Sequence, residues 1–149
     1  VLSGLVNLGF SMIAMFGVML LMKVEFKLSL LLLPIPVFYV FLFSTGLGLL
    51  LAAVTVFFRD IAHFYGVFVL AWTYFTPIFY PVTILPESAM KIMRINPMYH
   101  YVQYMRTLVL EGVFPGIREN IICLFIALGM LGMGTCIFYR KQDKFVLYV

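Results

Sequence analysis

The chain has 149 residues, of which 64% are hydrophobic and 11% are charged, and its formal net charge is +4. A soluble domain typically carries about 25% charged residues, so the composition excludes an ordinary soluble domain and indicates an integral membrane protein. The basic residues are scattered at the ends of apolar runs. That distribution excludes the basic patch of a nucleic-acid-binding protein, and we expect no nucleic-acid partner.

Two uncharged runs open the chain and predict two transmembrane helices. Residues 1–22 contain no charge and are long enough to cross a hydrocarbon core of about 30 Å. In the second run, Pro34 and Pro36 place the predicted helix at about residues 36–57, because proline is tolerated in the first turn of a helix. Small residues recur every four positions along this helix, on a face that another helix backbone can approach: Ser44, Gly48 and Ala52.

An aromatic run predicts the third span, at about residues 64–80. Aromatic side chains recur there at helical spacing: Phe64, Phe68, Trp72, Phe75 and Phe79. Because aromatic rings stack on the apolar faces of sugars, this stripe is either a surface for sugar rings or a face that packs against lipid or other helices. Pro77 and Pro81 interrupt the run, which predicts that the chain leaves the membrane normal at this point.

Residues 81–118 predict a hairpin of two short amphipathic helices. The helices are separated at Asn96-Pro97, because the residue before a proline disfavours helical geometry, and the second helix runs to about Leu110. One face of this second helix is polar, with His100, Gln103, Arg106 and Thr107. Such a break predicts a re-entrant or interfacial hairpin, since irregular backbone at membrane depth must be surrounded by protein or water.

The last apolar run predicts a fourth span at about residues 120–139, with Gly129, Gly132 and Gly134 available for close packing. The predicted fold is therefore an all-α integral membrane protein with four transmembrane helices and a re-entrant or interfacial helical hairpin. Four spans place both chain ends on one side of the membrane. Charge alone leaves the orientation open, because four basic residues then lie on that side and six on the other.

The titratable residues predict neither a catalytic nor a metal site. A membrane-embedded glycosyl or lipid transferase would need paired carboxylates or a metal cluster, whereas the six acidic residues are spread singly along the chain. No carboxylate or second histidine stands at metal-ligand spacing from His100. We therefore expect His100 to be a surface histidine and consider an enzyme the less favoured alternative.

Short motifs follow one another along the whole chain in a distinctive order. They are Phe58-Arg59-Asp60-Ile61 with His63, Trp72, Thr76-Pro77-Ile78 with Tyr80-Pro81, Asn96-Pro97-Met98, and Arg106 before Gly112. This ordered set resembles the permease subunit of type-two ATP-binding-cassette exporters, especially those for polysaccharides, O-antigen and teichoic acid. A drug- or lipid-exporting member of the same superfamily is the alternative that the aromatic stripe leaves open.

The resemblance implies a multi-pass permease of the bacterial cytoplasmic membrane with six transmembrane helices. The chain would be the C-terminal portion, helices three to six, with its C-terminus inside and the hairpin outside. The helix that couples to the ATPase would precede Val1. Two copies would form the channel, and the chain itself would hold no cofactor, because ATP and Mg²⁺ would bind to a separate ATP-binding-cassette subunit. The expected cargo is a glycan, in contact with membrane lipid.

The same resemblance assigns three groups of candidate site residues. The cytoplasmic mouth would contain Arg59, Asp60 and His63, for which anchoring of the loop at the lipid headgroups is the alternative. The translocation path would contain Phe68, Trp72, Phe75, Phe79 and Tyr80. The outer hairpin would depend on Pro77, Pro81, Asn96, Pro97 and Arg106, and Arg106 would line the outer pore or meet lipid phosphates.

Overall fold

A computed structural model describes residues 2–21, 28–57, 61–78 and 86–145 of the chain. Within these ranges the secondary structure is helical and contains no strand. Six α-helices follow one another in the order α1 (Leu2–Leu21), α2 (Pro34–Phe57), α3 (Ile61–Phe75), α4 (Glu87–Met93), α5 (Pro97–Arg106) and α6 (Ile117–Phe145). The predicted all-α class is confirmed.

Three of the described helices are long and apolar enough to cross a membrane. The apolar stretches are Leu2–Leu21, Ser29–Val56 and Ile117–Gln142. The third predicted span corresponds to α3, which has 15 residues and therefore rises only about 22 Å. Because a hydrocarbon core is about 30 Å thick, α3 alone does not cross the whole of it, and the four-span count stays a prediction.

Prolines decide where α2 begins and where α3 ends. Helix α2 begins at Pro34 rather than at residue 36, directly after a 3₁₀ helix at Leu28–Leu32. Helix α3 ends at Phe75, although the aromatic run predicted a helix to residue 80. Pro77 explains the earlier end, because it lacks an N–H donor and disfavours helical geometry at the residue before it.

The second helix of the hairpin changes its winding before it ends. Helix α5 passes directly into a π-helical turn at Thr107–Glu111, where the sequence predicted an α-helix to about residue 110. Gly112 then adopts a left-handed conformation with φ of 65°, and the Val113 N–H donates to the Thr107 carbonyl at 3.3 Å. Glycine tolerates this conformation without steric cost, so Gly112 is the residue that stops the helix.

Helices α2 and α6 form the central pair, and their backbones touch. A Cβ atom on Gly46 would overlap the backbone of Met130 and Leu131, and a Cβ atom on Gly134 would overlap the backbone of Gly46. Towards their N-terminal ends, the Tyr39 hydroxyl donates to Asn120 Oδ1 at 2.6 Å. Residue numbers rise together along both helices, so α2 and α6 run parallel and begin on the same side of the membrane.

The close helix approach therefore involves other residues than the predicted stripe of small residues. Ser44, Gly48 and Ala52 line an open groove of about 590 Å³, together with Tyr65 and Met98. Of the three predicted glycines on α6, Gly134 makes the close contact, whereas a Cβ atom on Gly129 or Gly132 would meet nothing within 4 Å. The spacing of small residues indicated close packing on α2 but did not identify the face that packs.

Replacing Gly134 tests whether the backbone contact holds the central helix pair together. We expect Gly134→Ala to lower the free energy of unfolding by about 1–3 kcal/mol, the usual cost of overpacking, although alanine is the better helix former. Gly132→Ala is the matched control and should leave stability unchanged or slightly raised, because its Cβ meets no neighbour. Thermal unfolding of the detergent-solubilised protein measures both, and equal midpoints for the two variants would contradict the prediction.

Candidate functional site

Helix α5 lies between the first halves of α2 and α6. The Tyr101 hydroxyl donates to the Cys123 carbonyl at 3.2 Å, and the Tyr101 ring meets Phe43 with centroids 5.8 Å apart. On the same helix, Tyr104 contacts Tyr39 edge to face at 6.3 Å. Both tyrosines of α5 are buried.

The turn between α4 and α5 lies level with the middle of α2. Met98, at the beginning of α5, shares the groove that contains Ser44, and Ser44 lies about 15 Å along α2 from its first residue. At the other end of α5, the Ser29 hydroxyl donates to the Leu108 carbonyl at 2.9 Å. Since Ser29 precedes α2, helix α5 runs antiparallel to α2, from the level of its middle to the level of its start. This is the geometry expected of a re-entrant hairpin.

Asn96 joins the turn of the hairpin to the end of α3. Its Oδ1 accepts the Met98 N–H at 3.0 Å and so caps α5. Its Nδ2 donates to Thr76 Oγ1 at 3.1 Å and to the Phe75 carbonyl at 3.4 Å. The carbonyls at the end of a helix have no partner within the helix, so Asn96 stabilises two helix ends with one side chain.

Arg106 makes a second connection between the hairpin and the segment after α3. Its guanidinium donates to the Ile78 carbonyl at 3.1 Å. The sequence predicted that Arg106 would line the outer pore or meet lipid phosphates. In the structure it holds the backbone next to Pro77, and together with Asn96 it ties both ends of α5 to the end of α3.

The aromatic stripe of α3 is largely exposed. The exposed fractions of Phe64, Phe68 and Phe75 are 71%, 54% and 58%. The rings of Phe68 and Trp72 lie 5.0 Å apart at 57°. Trp72 and Phe75 also border an apolar groove with Ile92, Ile95, Asn96 and Pro97. The stripe therefore leads from the body of α3 to the turn of the re-entrant hairpin.

Several predicted site residues lie outside the described residues. They are Arg59, Asp60, Phe79, Tyr80 and Pro81. His63 lies in the first turns of α3, and its side chain is likewise outside the described part. Of the predicted groups, the structure brings together the end of the aromatic path and the hairpin motif, because Phe75 and Pro77 flank Thr76, which Asn96 contacts.

A polar pocket of about 330 Å³ lies beside α5 and was missed by the sequence reasoning. Its charged lining residues are Arg94, Arg118 and Glu119. His100 belongs to it too: its Nε2 lies 2.9 Å from the Arg94 carbonyl, which can only accept, so Nε2 carries the proton. The sequence signal was weak, because Arg94 and Arg118 are far apart along the chain and only the fold of the hairpin brings them together.

These features define a class of protein. A re-entrant helical hairpin among membrane-spanning helices is typical of channels and transporters, where irregular backbone lines a cavity or packs within protein. Among the described residues, no group of three or more His, Cys, Asp or Glu side chains is placed to hold a metal ion. The architecture is that of a multi-pass membrane transport domain.

The sequence profile of the ABC-2 type transporter family matches residues 1–110, and the chain belongs to that family. Two curated relatives are each named O-antigen export system permease protein RfbA. The chain is 28% identical over 114 residues to the Myxococcus xanthus protein, covering 75% of this chain and 44% of the relative. It is 29% identical over 105 residues to the Klebsiella pneumoniae protein, covering 70% and 40%. The chain thus spans less than half the length of these relatives.

The substitution Asn96→Asp tests the connection between the hairpin and α3. An aspartate oxygen can still cap α5, but the two donor contacts to Thr76 and Phe75 are lost, and the carboxylate faces the Phe75 carbonyl. We expect the free energy of unfolding to fall by about 1–3 kcal/mol, measured by thermal unfolding in detergent.

The control is Asn120→Asp. Among the described residues, the Asn120 side chain makes one hydrogen bond, in which Oδ1 accepts from the Tyr39 hydroxyl, and an aspartate oxygen accepts equally well. Its position in the first turn of α6 also favours a negative charge. Equal losses in the two variants would mean that the added charge, and not the lost donors, destabilises the protein.

Proposed function

We propose that the chain forms part of the permease subunit of an ATP-driven exporter that moves polysaccharide or a lipid-linked glycan across the bacterial cytoplasmic membrane. Membership of the ABC-2 type transporter family supports transport. The two relatives, each named as an O-antigen export permease, support a glycan as cargo. Correspondence to the C-terminal portion of such a permease, helices three to six, belongs to the same proposal.

The observation that carries the cargo assignment is the exposed aromatic stripe leading to the hairpin. A glycan is too polar to cross hydrocarbon, so it needs a surface that binds sugar rings weakly and repeatedly. Aromatic rings supply apolar contact without holding a hydrogen-bonded position. Phe68, Trp72 and Phe75 provide three such rings on one helix, and α3 ends where Asn96 ties it to the hairpin. Phe79 and Tyr80 would continue this path.

The energy would come from partners. We assign ATP and Mg²⁺ to a separate ATP-binding-cassette subunit, and we assign the second wall of the channel to a second copy of the permease. An open groove on α2 and an exposed stripe on α3 are consistent with faces that line a path or meet another subunit. In this arrangement the chain supplies the conduit and has no catalytic residue.

The hairpin would face the outside of the cell, with Arg59, Asp60 and His63 at the cytoplasmic mouth. The parallel course of α2 and α6 supports one part of this topology, because the starts of both helices and the outer end of the hairpin then share a side. The end of α2 and the start of α3 would lie on the opposite side, inside the cell, together with the end of α6.

The aromatic path is tested by the double substitution Trp72→Ala and Phe75→Ala. We expect glycan export to fall about tenfold, because two aromatic contacts of about 0.5–1.5 kcal/mol each are lost along the path. Lectin labelling of surface glycan on intact cells measures export, and immunoblotting of the membrane fraction checks insertion.

The control for this experiment is Phe125→Ala, on α6, where the side chain is 72% exposed and lies off the proposed path. It should leave surface glycan unchanged. Normal export by the double variant would contradict the hypothesis that glycan moves along these aromatic rings. Equal loss in the control would mean that exposed aromatics matter only for membrane insertion.

Cysteine accessibility tests the topology. In a Cys136→Ser background, which removes the exposed native thiol, we introduce Lys91→Cys in α4, Phe114→Cys after the π-helical turn, and Arg140→Cys in α6. All three positions are exposed. A membrane-impermeant maleimide added to spheroplasts should label positions 91 and 114 and label position 140 only after lysis. Labelling in the reverse pattern would overturn the orientation.

A further inference from the structure

The polar pocket beside α5 has the construction of a binding site. It lies between the hairpin turn, helix α5 and the first turns of α6, and Tyr104 and Cys123 form its buried base. The polar groups around it come from all three of these elements: Arg94, Tyr99, His100, Gln103, Arg118 and Glu119. The pocket lining contains no residue of the aromatic path or of the proposed cytoplasmic mouth.

Two guanidinium groups are available to a ligand in this pocket. Within the described part of the chain, the side chains of Arg94 and Arg118 have neither a hydrogen-bond nor an ion-pair partner. Arg106 differs from them, because its guanidinium is held by the Ile78 carbonyl. A guanidinium presents several donors in a rigid fork, so two such groups lining one cavity of about 330 Å³ offer more donors than the protein itself uses.

The pocket extends from the first turn of α6, where the apolar stretch of that helix begins, to the hairpin turn. Arg118 and Glu119 belong to the first turn of α6, where its apolar stretch begins at Ile117. Cys123, at the base, lies about 9 Å further along the helix. Arg94 is fixed at the hairpin turn, whose backbone is held by His100. A cation placed this close to hydrocarbon is costly without an anionic partner or water, and such residues commonly mark a functional site.

The charges in the pocket favour an anion, with one opposing group. Arg94 and Arg118 are positive, Glu119 is negative, and Tyr104 contributes an uncharged phenol at the base. Guanidinium groups pair with phosphate through two parallel hydrogen bonds, which makes arginine the preferred residue for phosphate recognition. The Gln103 amide adds a further donor to the wall.

We propose that this pocket binds a phosphate group at the membrane surface, with Arg94 and Arg118 as its two cationic contacts and Glu119 as the group that limits its affinity. The phosphate can belong to a phospholipid headgroup or to a phosphate-bearing glycan, because the recognising chemistry is the same. The proposal does not depend on the exported cargo, since it requires only that the first turn of α6 lies at headgroup depth.

The experiment uses the intact permease, delipidated in neutral detergent, and measures binding by native mass spectrometry. The first probe is dioleoyl phosphatidylglycerol, with dioleoylglycerol as the matched lipid that lacks phosphate. The second probe is glycerol 3-phosphate, which carries the same phosphate without acyl chains. We expect the phosphate-bearing lipid to bind at least about tenfold more tightly than the neutral one, since charge-assisted hydrogen bonds account for the difference.

Variants that are expected to change phosphate affinity in opposite directions test whether the binding occurs in the pocket. Arg94→Gln and Arg118→Gln should each weaken phosphate binding about tenfold, whereas Glu119→Gln should strengthen it, because the opposing charge is removed. Lys91→Gln is the control: it removes an exposed positive charge one turn before Arg94 and outside the pocket lining. Because Glu119→Gln must gain affinity, misfolding cannot imitate the expected pattern.

Each outcome either identifies the source of the phosphate or tells whether the proposal holds. Binding of glycerol 3-phosphate as tight as that of the lipid identifies a site for soluble or glycan-borne phosphate, and binding of the lipid alone identifies a headgroup site. Equal binding of dioleoylglycerol and dioleoyl phosphatidylglycerol overturns the proposal, as does a loss in Lys91→Gln as large as that in the two pocket variants. Unchanged binding in Glu119→Gln removes Glu119 from the site.

Discussion

The backbone contact between α2 and α6 at Gly46 and Gly134 is the constraint on which the rest of the structure depends. Without side chains at these two positions, the helices touch directly, and dispersion contacts between backbones hold them together in a solvent as apolar as their own surfaces. The parallel pair then offers a site for α5 nearer the helix starts, where Phe43 and Cys123 meet Tyr101. The re-entrant hairpin is built on this pair.

The hairpin satisfies its irregular backbone with side chains, because hydrocarbon offers no water to do so. Ser29 donates to the Leu108 carbonyl in the π-helical turn, and Asn96 caps α5 while donating to the end of α3. Arg106 donates to the Ile78 carbonyl. Each of these three polar side chains therefore makes a hydrogen bond with the backbone of the hairpin or of the segment after α3.

The same contacts link the hairpin to the aromatic helix mechanically. Asn96 and Arg106 lie at opposite ends of α5, and both hold the segment that follows α3. A movement of α5 against the central pair would therefore move the end of α3 and the rings of Trp72 and Phe75 with it. Arg94 and Arg118 differ in kind, because they face a pocket and have no protein partner within the described residues.

Composition and proline positions alone determined the membrane class and the break of the hairpin at Asn96-Pro97, since these depend on local backbone chemistry and on the length of apolar runs. The sequence could not tell which small residues of α2 pack against α6. The orientation of α6 places its backbone against Gly46, whereas Ser44, Gly48 and Ala52 face an open groove. The sequence also could not predict that Arg106 donates to the Ile78 carbonyl, or that Arg94 and Arg118 line the same pocket. Those pairings join residues distant along the chain, and only the tertiary structure, through the re-entrant path of α5, decides them.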